Sequence, residues 1–421
     1  MITQAVSAPS WIERLSEWLT PRRIRAHALV LAVCLWGVCA FDYSKPGLFD
    51  RAGNIKFQDF LQFPVEARLI AEGRSNVLYN DQVLAEGIRQ IVGKNGIELH
   101  YYYGPQVALP FVPLASLSFL SAASIWMAVS VVIYFACVYL ITRSCGGISA
   151  QMKLISLCAI AYPPFFHFFV RGHLSAVSLL LVTLSYLALR RKHEWWAGLA
   201  LGCLVFKPQF LVAIPIILLL AGAWRILIGL ALSAAAQLAF AYAYFGKAVM
   251  QSYIAMLLHS AGNPASTELR LSAIQMHSLR SFWELLIPWP HGVTIAYVIC
   301  SPIVIVAATG IWKSSRSLAI RFSALLVAAV LVNPHIYIYD LLALAPVLLI
   351  MANWSIENAQ HGAKAEMRVL LYLAFMLPLF GPVVRWTHLQ LSVIVFAALL
   401  WVLHRITTAD RKLALAESAV V

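Results

Sequence analysis

Apolar runs recur along this chain too densely for most of it to sit in water. Ala26 to Phe41, Ile125 to Ile141, Ser175 to Leu189, Ile226 to Tyr244 and Leu389 to Leu403 are each nearly free of charge, and each can cross or nearly cross a hydrocarbon layer about 30 Å thick. With 61% of 421 residues hydrophobic and only 12% charged, the balance lies well outside that of soluble domains. The fold class that follows is all-α: a polytopic membrane protein forming one integral-membrane domain over residues 1–421. No internal repeat, low-complexity tract or separate soluble domain interrupts it. Arg14, Arg22, Arg23 and Arg25 precede the first run without a small-residue cleavage site after it, which reads as a retained first helix rather than a signal peptide. The seven cysteines all lie in or beside apolar segments, so neither a disulfide framework nor a CxxC metal site is indicated.

The formal net charge of +13 comes from basic residues gathered in short loops, the pattern by which cytoplasmic loops set membrane topology. No basic stripe with interleaved aromatics lies outside the apolar segments, so nucleic acid is not a partner. Placing Arg14 to Arg25 in the cytoplasm puts a first outer loop, 44–121, and a second, 246–291, on the outer side of a cell inner membrane. The short stretch Gln106 to Phe119, broken by Pro110 and Pro113, is expected as a re-entrant or interfacial helix. Trp195 to Ala221 is expected as two half-length helices meeting at Lys207. That gives eleven or twelve transmembrane segments with both termini cytoplasmic. In the first loop, Phe57, Phe60, Leu61, Val65, Leu69 and Ile70, and then Leu84, Ile88, Ile91 and Val92, recur at helical spacing and predict interfacial helices.

The first loop holds eight of the chain's 18 acidic residues. Asp59 stands apart among them because Phe57 and Phe60-Leu61 flank it; partly desolvated, its carboxylate could act as a base, or it could simply cap the following helix. Lys207 lies deep within an apolar run, where an ionisable residue points to function by default, with snorkelling as the alternative. Arg171 and His173, at a helix end, add further donors, and cations converging there would suit a phosphate. The break from Asn333 to Asp340 brings His335, Tyr339 and Asp340; Asp340 either caps the next helix or joins a site. Tyr101, Tyr102 and Tyr103, and Tyr337 with Tyr339, could stack on a sugar ring or belong to an aromatic interfacial belt, and His277 with Arg280 could edge a cavity. No P-loop, GxSxG, HExxH or kinase signature occurs, which removes the usual support for ATP-driven transport and for serine or zinc hydrolysis.

Taken in order, these pieces resemble glycosyltransferase family 87, the polyprenol-phosphate-dependent mannosyltransferase type of the C fold. The resemblance is carried by Gln58-Asp59-Phe60, Ala71-Glu72-Gly73, Leu78-Tyr79-Asn80, Tyr103-Gly104-Pro105-Gln106, Val112-Pro113-Leu114-Ala115, Arg171-Gly172-His173, Ala197-Gly198-Leu199 with Gly202, Lys207-Pro208-Gln209, Asn333-Pro334 and Tyr339-Asp340-Leu341, over about residues 55 to 350. It implies transfer of a hexose, mannose in that family type, from a polyprenyl-phosphate-linked sugar donor to a lipid or glycan acceptor at the outer face of the bilayer, with inversion. It implies Asp59 as general base and Lys207, helped by Arg171, on the donor phosphate. The residue-level candidates then add His173 to the phosphate group and place Tyr102, Tyr103, Gln106, His277, Arg280, His335, Tyr339 and Asp340 as expected around sugar and acceptor. No cofactor and no metal are expected. The chain departs from the family pattern at His173, where glutamine is usual, at Gly104, where proline is common, and at Tyr339-Asp340, where many relatives carry two histidines. Two other functions share the lipid-linked chemistry: a flippase or transporter, for which the broken segment at Lys207-Pro208 would fit but no matching break or repeat occurs, and a polysaccharide polymerase or ligase, which would place its large loop late in the chain.

Overall fold

The computed structural model describes residues 10–93, 99–262, 273–315 and 317–420, and these form an α-helical bundle. Among the described residues, extended pairing is confined to two isolated bridges, Phe49 with Ile55 and Met276 with Tyr337. Among the described residues six helices are long and apolar enough to span a membrane: Pro21–Tyr43, Phe119–Ser144, Trp224–His259, Pro290–Ser314, Ile338–Glu357 and Leu391–Arg411. Two helix pairs, Met152–Ala161 with Pro163–Arg171 and Lys364–Leu379 with Gly381–Thr387, pass the same test as bent spans. The chain is therefore an all-α polytopic membrane protein. Among the described residues there are five shorter apolar helices; with Pro105–Leu114 set aside, the other four, Ser175–Arg190, Glu194–Phe206, Pro208–Ala221 and Leu318–Val332, bring the apolar segments to twelve. At 1.5 Å per residue, none of these four reaches the roughly 30 Å of a hydrocarbon core by itself.

The outward surfaces explain why composition was so apolar. Leu29, Val30, Val33, Val132, Ile303 and Trp401 are all exposed, a cost in water and none in lipid. The centre is the Leu318–Val332 helix, on which Phe322 and every residue from Ser323 to Val332 are buried. Where two helices approach most closely, glycine is required. A Cβ on Gly198 would lie 2.1 Å from the Ile226 carbonyl oxygen, one on Gly202 2.2 Å from that of Leu230, and one on Gly229 2.5 Å from that of Trp195. Glu194–Gly202 and the start of Trp224–Gly262 thus touch backbone to backbone, the small-residue packing characteristic of helices in lipid.

The segment between the first two long helices forms a cap on the bundle. Asp81–Val92 is amphipathic as its periodicity predicts, burying Leu84, Ile88 and Val92 along one stripe; Asn80 caps its start and Gly93, at φ 72°, ends it. Gln62–Ala71 differs. Only Arg68 and Ala71 are exposed, because the helix is packed on several sides rather than laid along a surface, and Phe63 meets Tyr101, Tyr103 and Phe111. Pro105–Leu114 is a run of 3-10 turns carrying Pro110 and Pro113; at about 2 Å per residue, its ten residues are too short to cross.

Candidate active site

Three chain breaks meet where the cap rests on the bundle. The first is the turn that carries Asp59. Phe57 adopts a left-handed conformation, φ 55° and ψ 39°, ahead of a single 3-10 turn over Gln58–Phe60, a geometry costing a residue with a Cβ about 1–2 kcal/mol. Tyr43 holds it there: the Phe57 N–H donates to the Tyr43 hydroxyl, 3.4 Å, which donates in turn to the Val170 carbonyl, 2.8 Å. The second break ends the Pro163–Arg171 helix at Gly172, φ 74°. A Cβ on Gly172 would lie 2.8 Å from the Phe57 Cβ and 3.1 Å from its Cα, so the Asp59 turn sits directly on this glycine. The third interrupts the broken span at Lys207, between two short 3-10 turns; Pro208 removes one helical hydrogen bond.

These breaks bring charged groups together in a buried place. Lys207 Nζ pairs with Asp340 Oδ1, and the two side chains are only 2% and 4% exposed, so each offsets the other's desolvation. Asp340 also accepts from Ser175 Oγ, 3.1 Å, and from the Tyr337 N–H, 3.3 Å. It therefore does both things the sequence allowed: it caps the 3-10 turn over Ile338–Leu344 and holds a site cation. Because the Ser175 hydroxyl proton goes to Asp340, Ser175 Oγ accepts from His173 Nδ1–H at 2.9 Å. His173 Nε2 is then left to accept from the Tyr103 hydroxyl at 3.0 Å. Tyr339 stacks on the His173 ring at 4.0 Å and 29°, and Lys207 Nζ lies 5.9 Å from the Tyr339 ring centre. Both nitrogens of His173 are committed, so it positions the Lys207–Asp340 pair rather than reaching outward.

Asp59 is placed differently. Arg171 Nη1 lies 3.9 Å from its Oδ1, and among the described residues its carboxylate accepts no hydrogen bond. Burial pushes its carboxyl up to about 6; Arg171 and Lys207 oppose that rise and the Asp340 charge adds to it. The site thus holds one carboxylate committed to three donors and another left largely uncommitted. A carboxyl titrating near neutral pH can take a proton and release it. Arg171, 38% exposed, is the cation with room to meet a ligand anion.

Not every expected residue joins this cluster. Asp59, Arg171, His173, Lys207, Tyr103, Tyr339 and Asp340 converge, while Tyr102 points away, 49% exposed, beside His100. His277 is buried, with Nδ1 2.7 Å from Ser392 Oγ and its N–H donating to the Ile336 carbonyl at 3.0 Å. Burial drives its imidazole down to about 3, so the ring meets Ser392 as a neutral group, while the backbone N–H is what pins the 333–340 segment. Arg280 is turned onto Glu284, 3.1 Å, one helical turn away. His335 packs edge-on against Tyr337 at 4.9 Å and is one step out along the aromatic row Tyr337, Tyr339, His173. Gln106 is tucked against Gly104, with both amide atoms buried and without a hydrogen-bond partner among the described residues, as are both carboxyl oxygens of Glu66 and Oε1 of Gln62. Ser175 and Glu66 escaped notice in the sequence. Ser175 sits two residues after His173, a short polar side chain at a helix start, which is a weak but readable signal; Glu66 looked like one more loop charge. Among the described residues no three His, Cys, Asp or Glu side chains gather as a metal-ligand set.

Neither a curated protein nor a solved structure matches the chain. A family model, glycosyltransferase family 87, matches residues 101–334, more than half of the 421 residues. That span contains Arg171, His173 and Lys207 and lies between Asp59 and Asp340. A multi-pass helical bundle with buried cations and a carboxyl of raised proton affinity where its broken helices meet suits sugar transfer inside a membrane, and the chain belongs to glycosyltransferase family 87.

Proposed function

We propose that this membrane glycosyltransferase moves a hexose, with mannose the first sugar to test, from a polyprenyl-phosphate donor to a hydroxyl of a lipid or glycan acceptor at the outer face of the inner membrane, on a C-type fold. Asp59 takes the acceptor proton as the acceptor oxygen attacks the anomeric carbon and the phosphate departs from the opposite side, inverting that centre. Arg171 meets the departing phosphate first. Lys207 assists as Asp340 shares its charge, so the phosphate joins an ion pair already desolvated rather than a lone buried ammonium. Tyr339 and Tyr103 offer aromatic faces beside the sugar.

The observation that carries this reading is the contrast between the two carboxylates. Asp340 is committed to Lys207, Ser175 and the Tyr337 N–H, whereas Asp59 is partly buried, held only by the 3.9 Å pair with Arg171, and raised to about 6 by desolvation. Changing Asp59→Asn keeps shape and removes the base. In membranes given labelled polyprenyl-phosphate mannose and an acceptor extract, the variant is expected to fold as the parent does and to lose transfer by about 100-fold or more. Transfer at the parental rate would remove Asp59 from the mechanism, and absence of transfer by the parent from this donor, with transfer from a nucleotide sugar instead, would overturn the donor class.

A further inference from the structure

A cavity of about 460 Å³ lies away from the site, between the Pro21–Tyr43, Met152–Ala161, Ala345–Glu357 and Lys364–Met376 helices. Its walls are mostly apolar, with Leu154, Leu348, Leu349 and Phe375 among them, and one end is edged by Lys364 and Arg368. Its volume falls within the roughly 300–1,000 Å³ of small-molecule sites. Among the described residues the Lys364 ammonium has no ion pair or side-chain hydrogen bond, and Arg368 commits one N–H, to the Leu19 carbonyl at 2.6 Å. The nearby Glu366 is taken by Arg405 at 2.8 Å. Next to this end lies the Trp11–Trp18 helix, amphipathic and closed by a Ser10–Glu13 capping box, with Trp11 72% and Trp18 42% exposed; exposed tryptophans on such a helix suit the headgroup layer of a bilayer.

We propose that this cavity is a binding site for an anionic glycerophospholipid, with one acyl chain between the helices and the phosphate against Lys364 and Arg368. The walls call for a hydrocarbon chain and the rim for an anion, and a basic pocket between membrane helices is how proteins hold acidic lipids. The occupant is not the sugar donor. The 13 residues of Ala345–Glu357 separate this cationic end from Asp340, about 20 Å along the helix, so a phosphate held here is out of reach of Asp59. The opposite end of the cavity touches Tyr162, whose hydroxyl donates to the Leu341 carbonyl at 2.9 Å. The chain of the bound lipid therefore ends under the residue that follows Asp340.

Native mass spectrometry of the full-length protein, delipidated in neutral detergent and titrated separately with dioleoyl phosphatidylglycerol, dioleoyl phosphatidylcholine and undecaprenyl phosphate, tests this. One phosphatidylglycerol per chain is expected to be retained, about ten-fold or more tighter than phosphatidylcholine. Lys364→Gln with Arg368→Gln should erase that preference, and Ala352→Trp, which fills the cavity, should abolish retention of both. If Ala352→Trp fails gel filtration, Leu349→Trp is used, and the headgroup comparison stands without either. Equal retention of the two phospholipids, unchanged preference in the Lys364/Arg368 variant, or tighter retention of undecaprenyl phosphate would each overturn the proposal.

Discussion

The Lys207–Asp340 pair gives the sharpest test of how the site is held together, because its two halves are not equally replaceable. Lys207→Met leaves the Asp340 carboxylate with two donors, Ser175 Oγ and the Tyr337 N–H. Asp340→Asn leaves a buried ammonium facing a neutral amide oxygen in place of its counter-charge, while its other neighbour, His173 Nδ1 at 3.4 Å, already gives its own proton to Ser175. Removing one member of a buried pair costs about 3–5 kcal/mol; on this geometry the lysine change falls at the lower end of that range and the aspartate change at the upper end. The double variant removes both charges, keeps the Ser175 hydrogen bond by offering it an amide oxygen in place of the carboxylate, and should cost only about 1–2 kcal/mol. Thermal unfolding of the four proteins in detergent reads the stabilities, and a transfer assay beside it separates stability from activity. Recovery of stability without recovery of activity is the expected pattern. A double variant as unstable as the two single losses added together would show that the side chains do not interact, and the site's architecture would need another explanation.

Other expectations follow from the same geometry. A general base must be ionised, so transfer should fall as pH drops through about 6, the value to which burial raises Asp59; Arg171→Gln removes a charge that holds that value down, so the acidic limb of the pH–rate profile should move to higher pH, and a limb that stays in place would refute the assignment. Gly172→Ala should cost about 1–3 kcal/mol in stability, from a left-handed backbone and a contact 2.8 Å from the Phe57 Cβ, and by shifting the Asp59 turn should reduce transfer up to about 100-fold; parental activity would disprove that coupling. Glu66 is buried with no partner for either oxygen, and burial raises its carboxyl to about 9, so Glu66→Leu should raise the unfolding midpoint by removing an unsatisfied group that costs about 1–3 kcal/mol; a lowered midpoint would mean that the carboxyl helps to hold the cap together.

Local signals in the sequence were reliable where they marked breaks. Lys207-Pro208 inside an apolar run and Asn333-Pro334 after one predict interruptions, and both are present. What local signals could not supply is pairing: Lys207 and Asp340 are 133 residues apart, and nothing in either neighbourhood names the other. Helical periodicity also misled at Gln62–Ala71. Its pattern suggested one buried stripe, yet Pro105–Leu114 and the Tyr101–Tyr103 turn cover the remaining sides, so even Gln62 and Glu66 are enclosed. Polar residues read from sequence are assigned to water by default, and that default hid Glu66. Tyr102 shows the opposite case: its neighbours Tyr101 and Tyr103 are buried while it is 49% exposed, a difference that three identical residues in a row cannot announce.

The backbone contact between Glu194–Gly202 and the start of Trp224–Gly262 also bears on motion. Gly198, Gly202 and Gly229 interlock so closely that neither helix can slide without a carbonyl oxygen colliding with an α-carbon. The first half of the broken span is therefore fixed like a stator. Pro208–Ala221, on the far side of Lys207, has no such clamp among the described residues: a Cβ on Gly222, at its end, would meet nothing nearer than the Trp224 ring nitrogen, 3.9 Å away. This second half is held instead by side-chain packing, with Ile214, Ile217 and Leu218 fully buried, so the two halves that meet at Lys207 are fastened by different means.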